Sequence, residues 1–350
     1  MQQLSFLVFA DFHYKQGMYA STVRDLEAIL DRAAAHHVDF VLHAGDFCND
    51  YPGSPEVTSL LLQNPQKLAV YGCYGNHELE TADTSMQFVT PRLTNSRVIW
   101  GTQNGKICDG SVGHYYFDCK GYRVIVTDAN YSCTPQGTWE HNKTGSHCAA
   151  VGNSQQNSLG PDQLLWLDVI LTDAAAAHLR CIVISHAAFD KRHNASPDAD
   201  NVRALFDKVN RITPGTVFLA INGHYHTDGC KTEQGVVYLD VNAVRNAWWN
   251  SVPHGKYSDR EPSFTYIEYD DNGRPLGPGI SRPLLSLRQG SRTLFTKEPL
   301  SALITVNDDA ITVEGVSSAW IDGLAPDTDR EEVIPAIRSR VIAVKTGCKP

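Results

Sequence analysis

The chain has 350 residues, 42% of them hydrophobic and 20% charged, with a formal net charge of −9. That length suits two average domains or one large α/β domain, and the composition, ordinary for a globular protein, permits a sizeable core. The negative charge argues against a broad footprint for nucleic acid or anionic membranes, so an anionic substrate must be drawn in by a local positive site.

No apolar run is long enough to span a bilayer. The first ten residues lack a positive n-region and run straight into Asp11, so they read as a strand rather than a signal peptide, which favours the cytoplasm, or export where a leader has been removed. Residues 4–10 form a mostly apolar run, as expected of a strand buried on both faces, with Asp11 and His13 at its carboxyl end. From Ser21 or Thr22 the period becomes helical, with Val23, Leu26, Ile29, Leu30 and Ala33 on one face and Asp25 and Glu27 early in the helix. Residues 38–42 then read as a strand that delivers Asp46, and residues 68–71 as one that leads into Gly75-Asn76-His77-Glu78.

Residues 122–127 and 181–185 are β-rich runs, and the second ends at His186. Between them, residues 162–177 are apolar at helical spacing (Leu164, Leu167, Ile170, Leu171). A helix over 200–209 precedes a strand over 217–221, which ends at Gly223-His224-Tyr225-His226. Residues 134–161, rich in Ser, Asn, Gln and Gly, read as a long excursion, either a rim over the site or a tolerated surface insertion. Strands over 236–241 and 264–269 are followed by a Gly- and Pro-rich stretch at 270–279. Short β-like pieces at 303–306, 310–313 and 341–344 carry no ligand motif. The expected division is therefore a main domain over 1–285 and a β-rich appendage over 286–350.

Five short motifs sit in fixed order: Asp11-Phe12-His13, Gly45-Asp46 with Asn49-Asp50, Gly75-Asn76-His77-Glu78, Ser185-His186 and Gly223-His224-Tyr225-His226. Each falls at the carboxyl end of an expected strand, where open α/β sheets collect their ligands. Asp11 and His13 are two apart, which in extended chain puts both on one face, and His224 and His226 repeat the spacing. Together they offer oxygen and nitrogen donors suited to two divalent or trivalent metal ions, Mn, Fe or Zn rather than Ca. Such a pair can bridge a hydroxide, lower the pKa of its water toward about 7 and clamp a phosphate.

The nine cysteines include no CxxC pair, which leaves buried free thiols as the simplest reading, Cys48 and Cys73 among them. Cys133 and Cys148, and the sequons at Asn142 and Asn194, matter only in an oxidising compartment. His36, His37, His141, His147 and His193 are assigned to the surface, and His43 to a strand end or to orienting a ligand. Arg245 and the pair Trp248-Trp249 are candidates to hold phosphate and stack a base, though a Trp pair also suits a core.

The ordered motifs resemble the calcineurin-like metallophosphoesterase superfamily over the first two-thirds to four-fifths of the chain. That resemblance implies a four-layer α/β/β/α sandwich of two mixed sheets flanked by helices. It implies one metal on Asp11, His13, Asp46 and His226, and a second on Asp46, Asn76, His186 and His224. Asn76 and His77 would meet the substrate, with His77 stabilising phosphate charge or protonating the leaving oxygen. Asn49 departs from the protein serine/threonine phosphatases, which carry Asp there followed by Arg-Gly, and from the purple acid phosphatases, which carry Tyr. The broad bacterial-type group remains, with a phosphodiesterase or phosphatase of small nucleotides or phosphorylated metabolites as the expected activity. The alternative is a non-catalytic scaffold of the same fold that binds a partner protein. A redox or thiol protein has only the cysteine count behind it.

Overall fold

The computed structural model describes residues 2–14, 21–47, 55–79, 98–103, 106–107, 113–133, 137–141, 157–190, 195–247, 263–266, 280–283, 294–320 and 331–344. The strands of its two large sheets are, in chain order, β1 (Leu4–Phe9), β2 (Phe40–His43), β3 (Val70–Gly72), β4 (Ile99–Trp100), β5 (Tyr115–Cys119), β6 (Tyr122–Val126) and β7 (Arg180–Ser185). They continue with β8 (Val217–Asn222), β9 (Gly229–Glu233), β10 (Val236–Asp240), β11 (Ala302–Val306), β12 (Ala310–Gly315) and β13 (Arg340–Ala343). The described α-helices are α1 (Val23–Ala35), α2 (Pro55–Leu62), α3 (Pro161–Ala176) and α4 (Ala199–Ile212).

Strand alternation explains the layering, because successive side chains point to opposite faces. Phe6, Val8, Leu42 and Ile304 of one sheet share a core with Phe117, Val124, Ile184 and Leu239 of the other. The intervening residues Leu7, Phe9 and Val41 turn outward and pack under Leu26, Ile29 and Leu30 of α1 and Leu61 of α2. On the far side Ile125, Val183 and Ala220 pack under Leu167 and Leu171 of α3 and Phe206 of α4. Both faces of each sheet are thus covered, and the order of layers is α/β/β/α.

The first sheet runs β13-β12-β11-β1-β2-β3 and the second β9-β10-β8-β7-β6-β5-β4. β1, β2 and β3 are parallel, as are β6, β7, β8 and β10, while β11–β13, β9 and the β5–β4 edge are antiparallel additions. The parallel strands carry their carboxyl ends to one edge of the molecule, and every ligand motif follows one of them. Thr22 caps α1 with a reciprocal pair, its hydroxyl accepting from the Asp25 N–H at 3.3 Å and its own N–H donating to the Asp25 carboxylate at 2.7 Å. Such a cap is worth about 1 kcal/mol.

Two expectations change. The segment from residue 286 onward is β-rich, but its strands are no appendage: β11 pairs along β1, Leu4 opposite Val306, and with β12 and β13 makes half of the first sheet. A boundary at 285 would cut through a single hydrogen-bonded layer. Within the excursion at 134–161, Trp139–His141 pairs antiparallel with Tyr131–Cys133 and Ser158 bridges Tyr131. The strands β4, β5 and β9 and helix α2 had not been expected. The stretch at 270–279 lies outside the described residues.

Candidate metal centre

Five ligand candidates sit in left-handed backbone: Asp11 (φ 51), His13 (φ 50), Asp46 (φ 54), His224 (φ 73) and His226 (φ 54). For a residue with a Cβ this conformation costs about 1–2 kcal/mol, and such strain persists where surroundings over-determine it. Here the turns after β1, β2 and β8 hold one another. The Asp11 N–H donates to Gly45 O at 3.0 Å and the His13 N–H to Asp46 O at 2.9 Å. The His224 N–H donates to both Asp11 carboxylate oxygens, at 3.1 and 2.9 Å.

The result is three overlapping groups of buried or nearly buried donors, each with its ligand atoms within 4.8 Å of one another: Asp11, His13 and His226; His13, Asp46 and His77; and Asp46, His186 and His224. His13 Nε2 and His226 Nε2 stand 3.0 Å apart, and His226 Nε2 lies 3.3 Å from Asp11 Oδ1. Across Asp46, His186 Nε2 is 3.1 Å from Oδ2 and 3.2 Å from His224 Nδ1. Donors each about 2.1 Å from one ion stand about 3.0–3.4 Å from each other. The spacings match that separation, and both outer groups lie against Asp46, whose Oδ2 is 3.8 Å from His13 Nε2 and 3.9 Å from His77 Nε2. Asn76 adds a side-chain Oδ1 that is buried with no hydrogen-bond partner. A buried acceptor left unpaired is costly, and a cation there would satisfy it. The donor set therefore fits two metal ions.

The turn carrying Asn76 and His77 is fastened to Asp46 from two directions. The Glu78 carboxylate accepts from the Asp46 N–H at 3.0 Å, the Gly75 N–H at 2.6 Å and the Phe47 N–H. The His77 N–H donates to Asp46 Oδ1 at 2.8 Å, which leaves Oδ2 facing the imidazoles. Gly75 must be glycine, because a Cβ there would run into the Asp46 carboxylate and backbone nitrogen. Glu78 was visible in the sequence only as the last residue of its motif; its reach across two turns was not.

Charge is concentrated and sheltered. Burial favours protonated Asp46, but the imidazoles of His186, His77 and His13 outweigh it and hold the carboxylate well below its usual range. Burial likewise opposes charge on His186, yet the Asp46 carboxylate lifts that imidazole to about 10. His224, desolvated and beside His186, falls to about 3. In the metal-free protein a proton on His186 thus balances Asp46, and a cation held by these residues would supply that positive charge instead.

His186 Nδ1 meets Ala44 O at 2.9 Å, the second contact that commonly orients a metal-binding histidine. His43 is fully buried between Phe9 and Phe47 and is pushed down to about 3, first by burial and then by His186. Arg245 is brought elsewhere. Its guanidinium bonds Asp25 of α1, at 3.0 Å through Nε and 2.5 Å through Nη2, and also reaches the carbonyls of Thr296 and Lys297. None of these bonds goes to a cluster residue, so the expectation that Arg245 holds phosphate gives way to a structural tie. His36 and His37 are exposed as expected. Cys73 is a buried thiol whose pKa burial raises. Cys48, His147, Cys148, His193, Trp248, Trp249 and the sequon asparagines Asn142 and Asn194 lie outside the described residues.

The family model for calcineurin-like phosphoesterases matches residues 4–228, and the chain belongs to that family. It is a metal-dependent phosphoric ester hydrolase. Among solved structures it is similar to a dimetal phosphatase from Danio rerio, with 16% identity and a TM-score of 0.55 over 91% of this chain and 98% of that one. A putative 5'-nucleotidase from Staphylococcus aureus is 13% identical with a TM-score of 0.45, over 95% of this chain and 57% of that one. GAP50, the anchor in the inner membrane complex of Plasmodium, is 12% identical with a TM-score of 0.48, over 98% of this chain and 89% of that one. At these identities the likeness concerns the fold. No curated protein matches the chain by sequence. Among the described residues no helix is long and apolar enough to cross a membrane.

Proposed function

We propose that the chain is a two-metal phosphodiesterase or phosphatase that acts on small nucleotides or phosphorylated metabolites. Asp11, His13, Asp46 and His226 hold one ion, and Asp46, Asn76, His186 and His224 the other. The observation that carries this reading is the run of three overlapping donor groups, two of them sharing Asp46, together with the buried, unpartnered side-chain oxygen of Asn76, the residue before His77. Manganese, iron or zinc suits these carboxylate, amide and imidazole donors. When bound, the ions supply Lewis-acid charge and an activated water.

The protein's own groups do the rest. Asp46 keeps one oxygen on the His77 N–H and offers the other to both clusters. His77 borders the His13 and Asp46 donors, its ring centroid 4.7 Å from that of His13, so a phosphate at the ions would lie beside it. There it holds charge on a phosphate oxygen or gives a proton to the leaving oxygen. The net charge of −9 favours a small substrate over a long nucleic acid, because binding the latter rests on many cationic contacts.

The test is turnover of Mn²⁺-loaded protein on a nitrophenyl monoester and a bis-nitrophenyl diester, side by side, with chelated protein as control. Faster diester cleavage would make it a phosphodiesterase, and faster monoester cleavage a phosphatase. Equal turnover after chelation would sink the metal-dependent mechanism. Metal uptake with no turnover on either ester would favour the scaffold alternative.

A further inference from the structure

His224 and His226 both occupy left-handed backbone in the six-residue turn between β8 and β9, so something must hold that turn at each end. Its upstream side is fixed within the main sheets. The Asn222 amide donates to Gly223 O at 2.9 Å and to the Asp240 carboxylate, while past His226 the Thr227 hydroxyl donates to the same carboxylate at 3.0 Å. Its downstream end is held in addition by a different part of the chain. Asp228, two residues past His226, has a fully buried side chain and sits against residues 331–340.

The contacts there are numerous. The Asp228 N–H donates to Glu332 O at 2.9 Å, and its carboxylate accepts from the Arg338 N–H at 3.2 Å. Two guanidiniums neutralise that carboxylate, Arg340 at 2.5 Å and Arg338 at 3.4 Å. The segment is itself tied down. The Asn242 amide donates to Ile334 O at 2.8 Å and Ala336 O at 3.1 Å, and the Ile337 N–H donates to Val316 O at 2.9 Å. Arg338 also reaches Glu331 O at 2.6 Å. The family match stops at residue 228, so this strap lies wholly outside it.

We propose that residues 331–340 form a clamp for the metal centre. By gripping the buried Asp228 carboxylate through Arg338 and Arg340, the strap fixes the turn that presents His226 and so sets the affinity for the ion His226 helps to hold. The inference rests on the two-metal reading above. Arg338 and Arg340 are positioning residues, since they act on the centre only through Asp228 and the strained turn. Outer contacts of this kind change metal affinity by about 10–100-fold when removed.

The experiment is calorimetric titration of chelated full-length protein with Mn²⁺, wild type against Arg340→Gln, with Arg340→Lys as the conservative control. The melting temperature of each metal-free protein is measured alongside. The expected result for Arg340→Gln is one of two Mn²⁺ sites weakened about 10–100-fold with the other unchanged, and recovery of most of that loss in Arg340→Lys. A folded Arg340→Gln protein with both sites at wild-type affinity would overturn the clamp. So would equal weakening of both sites that merely follows a lower melting temperature. Should Arg340→Gln not fold, Arg338→Gln carries the same test, because that guanidinium is 48% exposed and milder to remove. Again, one weakened site supports the clamp and two unchanged sites overturn it. Wild-type protein that binds fewer than two Mn²⁺ would overturn the two-metal reading itself, which Arg340→Gln alone cannot do.

Discussion

Of the eleven described non-glycine residues with left-handed backbone, all but Asn157 fall into two groups at different places in the fold. His37, Lys67, Lys120, His178 and Gln234 are exposed and lie at helix ends or turns, where neighbours in sequence complete their hydrogen bonds. The N–H groups of His37, Lys67 and His178, for example, donate to the carbonyls of Ala34, Asn64 and Ala175, each three residues back. Asp11, His13, Asp46, His224 and His226 gather instead at the carboxyl ends of β1, β2 and β8. Their partners are Gly45 for Asp11 and Asp46 for His13, while His224 is held by Asp11 from 213 residues away. The same local cost is thus met by local contacts in one group and by long-range contacts in the other. Only the second kind can aim several donors at one point, and it makes the geometry depend on the whole fold.

If that is right, removing chemistry and removing scaffolding at the centre should give different signatures. His77→Ala should retain both metal ions, since neither proposed ligand set includes His77, yet lose about 10²–10⁴-fold in turnover. Metal content and kcat measured on one preparation check this, and wild-type turnover would sink the assigned role. Glu78→Gln should do the reverse. An amide nitrogen would replace an oxygen that now accepts backbone N–H groups from two turns. Metal affinity should fall about 10–100-fold. At saturating metal, kcat should recover substantially, and a kcat that stays low there would argue that Glu78 takes part in the reaction.

The sequence made the donors legible because each is a metal-binding type at a strand end, and those strands announce themselves as short apolar runs. Helix α1 was legible down to its cap, since Thr22 and Asp25 carry the signal within four residues. What was not legible depends on pairing at a distance. β11 and β12 were readable as strands, but nothing local says that Leu303 lies opposite Leu7. Register of this kind is set by the assembled core rather than by neighbouring residues. Arg245 shows the same limit from the other side: its nearness in sequence to the last motif pointed to phosphate, whereas the fold brings Asp25 to it from 220 residues away. The ribbon at Trp139–His141 escaped because its residues lack an apolar alternation.

His43 offers a smaller test at the buried end. In the fold it stays neutral down to about 3, whereas an unfolded histidine takes its proton near 6.5. Below about 6.5 the unfolded chain binds a proton that the folded chain refuses. Its contribution is therefore fully present above that pH and is lost as pH falls toward 3, by up to about 1.4 kcal/mol per pH unit. In metal-free protein His43→Leu, which is close in volume, should flatten the acid limb of the stability–pH curve. An unchanged slope in urea titrations between pH 6 and 4 (about 6.5 being the reference value) would mean that His43 is charged in the fold.

The smallest effect belongs to the exposed group. His178 follows α3 in left-handed backbone (φ 54), the position where glycine usually ends a helix. Left-handed strain of about 1–2 kcal/mol is relieved by glycine, while glycine's greater freedom in the unfolded chain returns about 0.5–1 kcal/mol. His178→Gly should therefore raise stability by about 1 kcal/mol or less. Turnover and Mn²⁺ affinity should not move, because none of the contacts that aim the donors passes through this turn. Chemical denaturation and a Mn²⁺ titration of the same variant decide it. A gain in stability with an intact centre would show that strain at helix ends can be removed without penalty. A shift in metal affinity would instead mean that the two groups are coupled, and that the division between locally and globally held backbone is drawn in the wrong place.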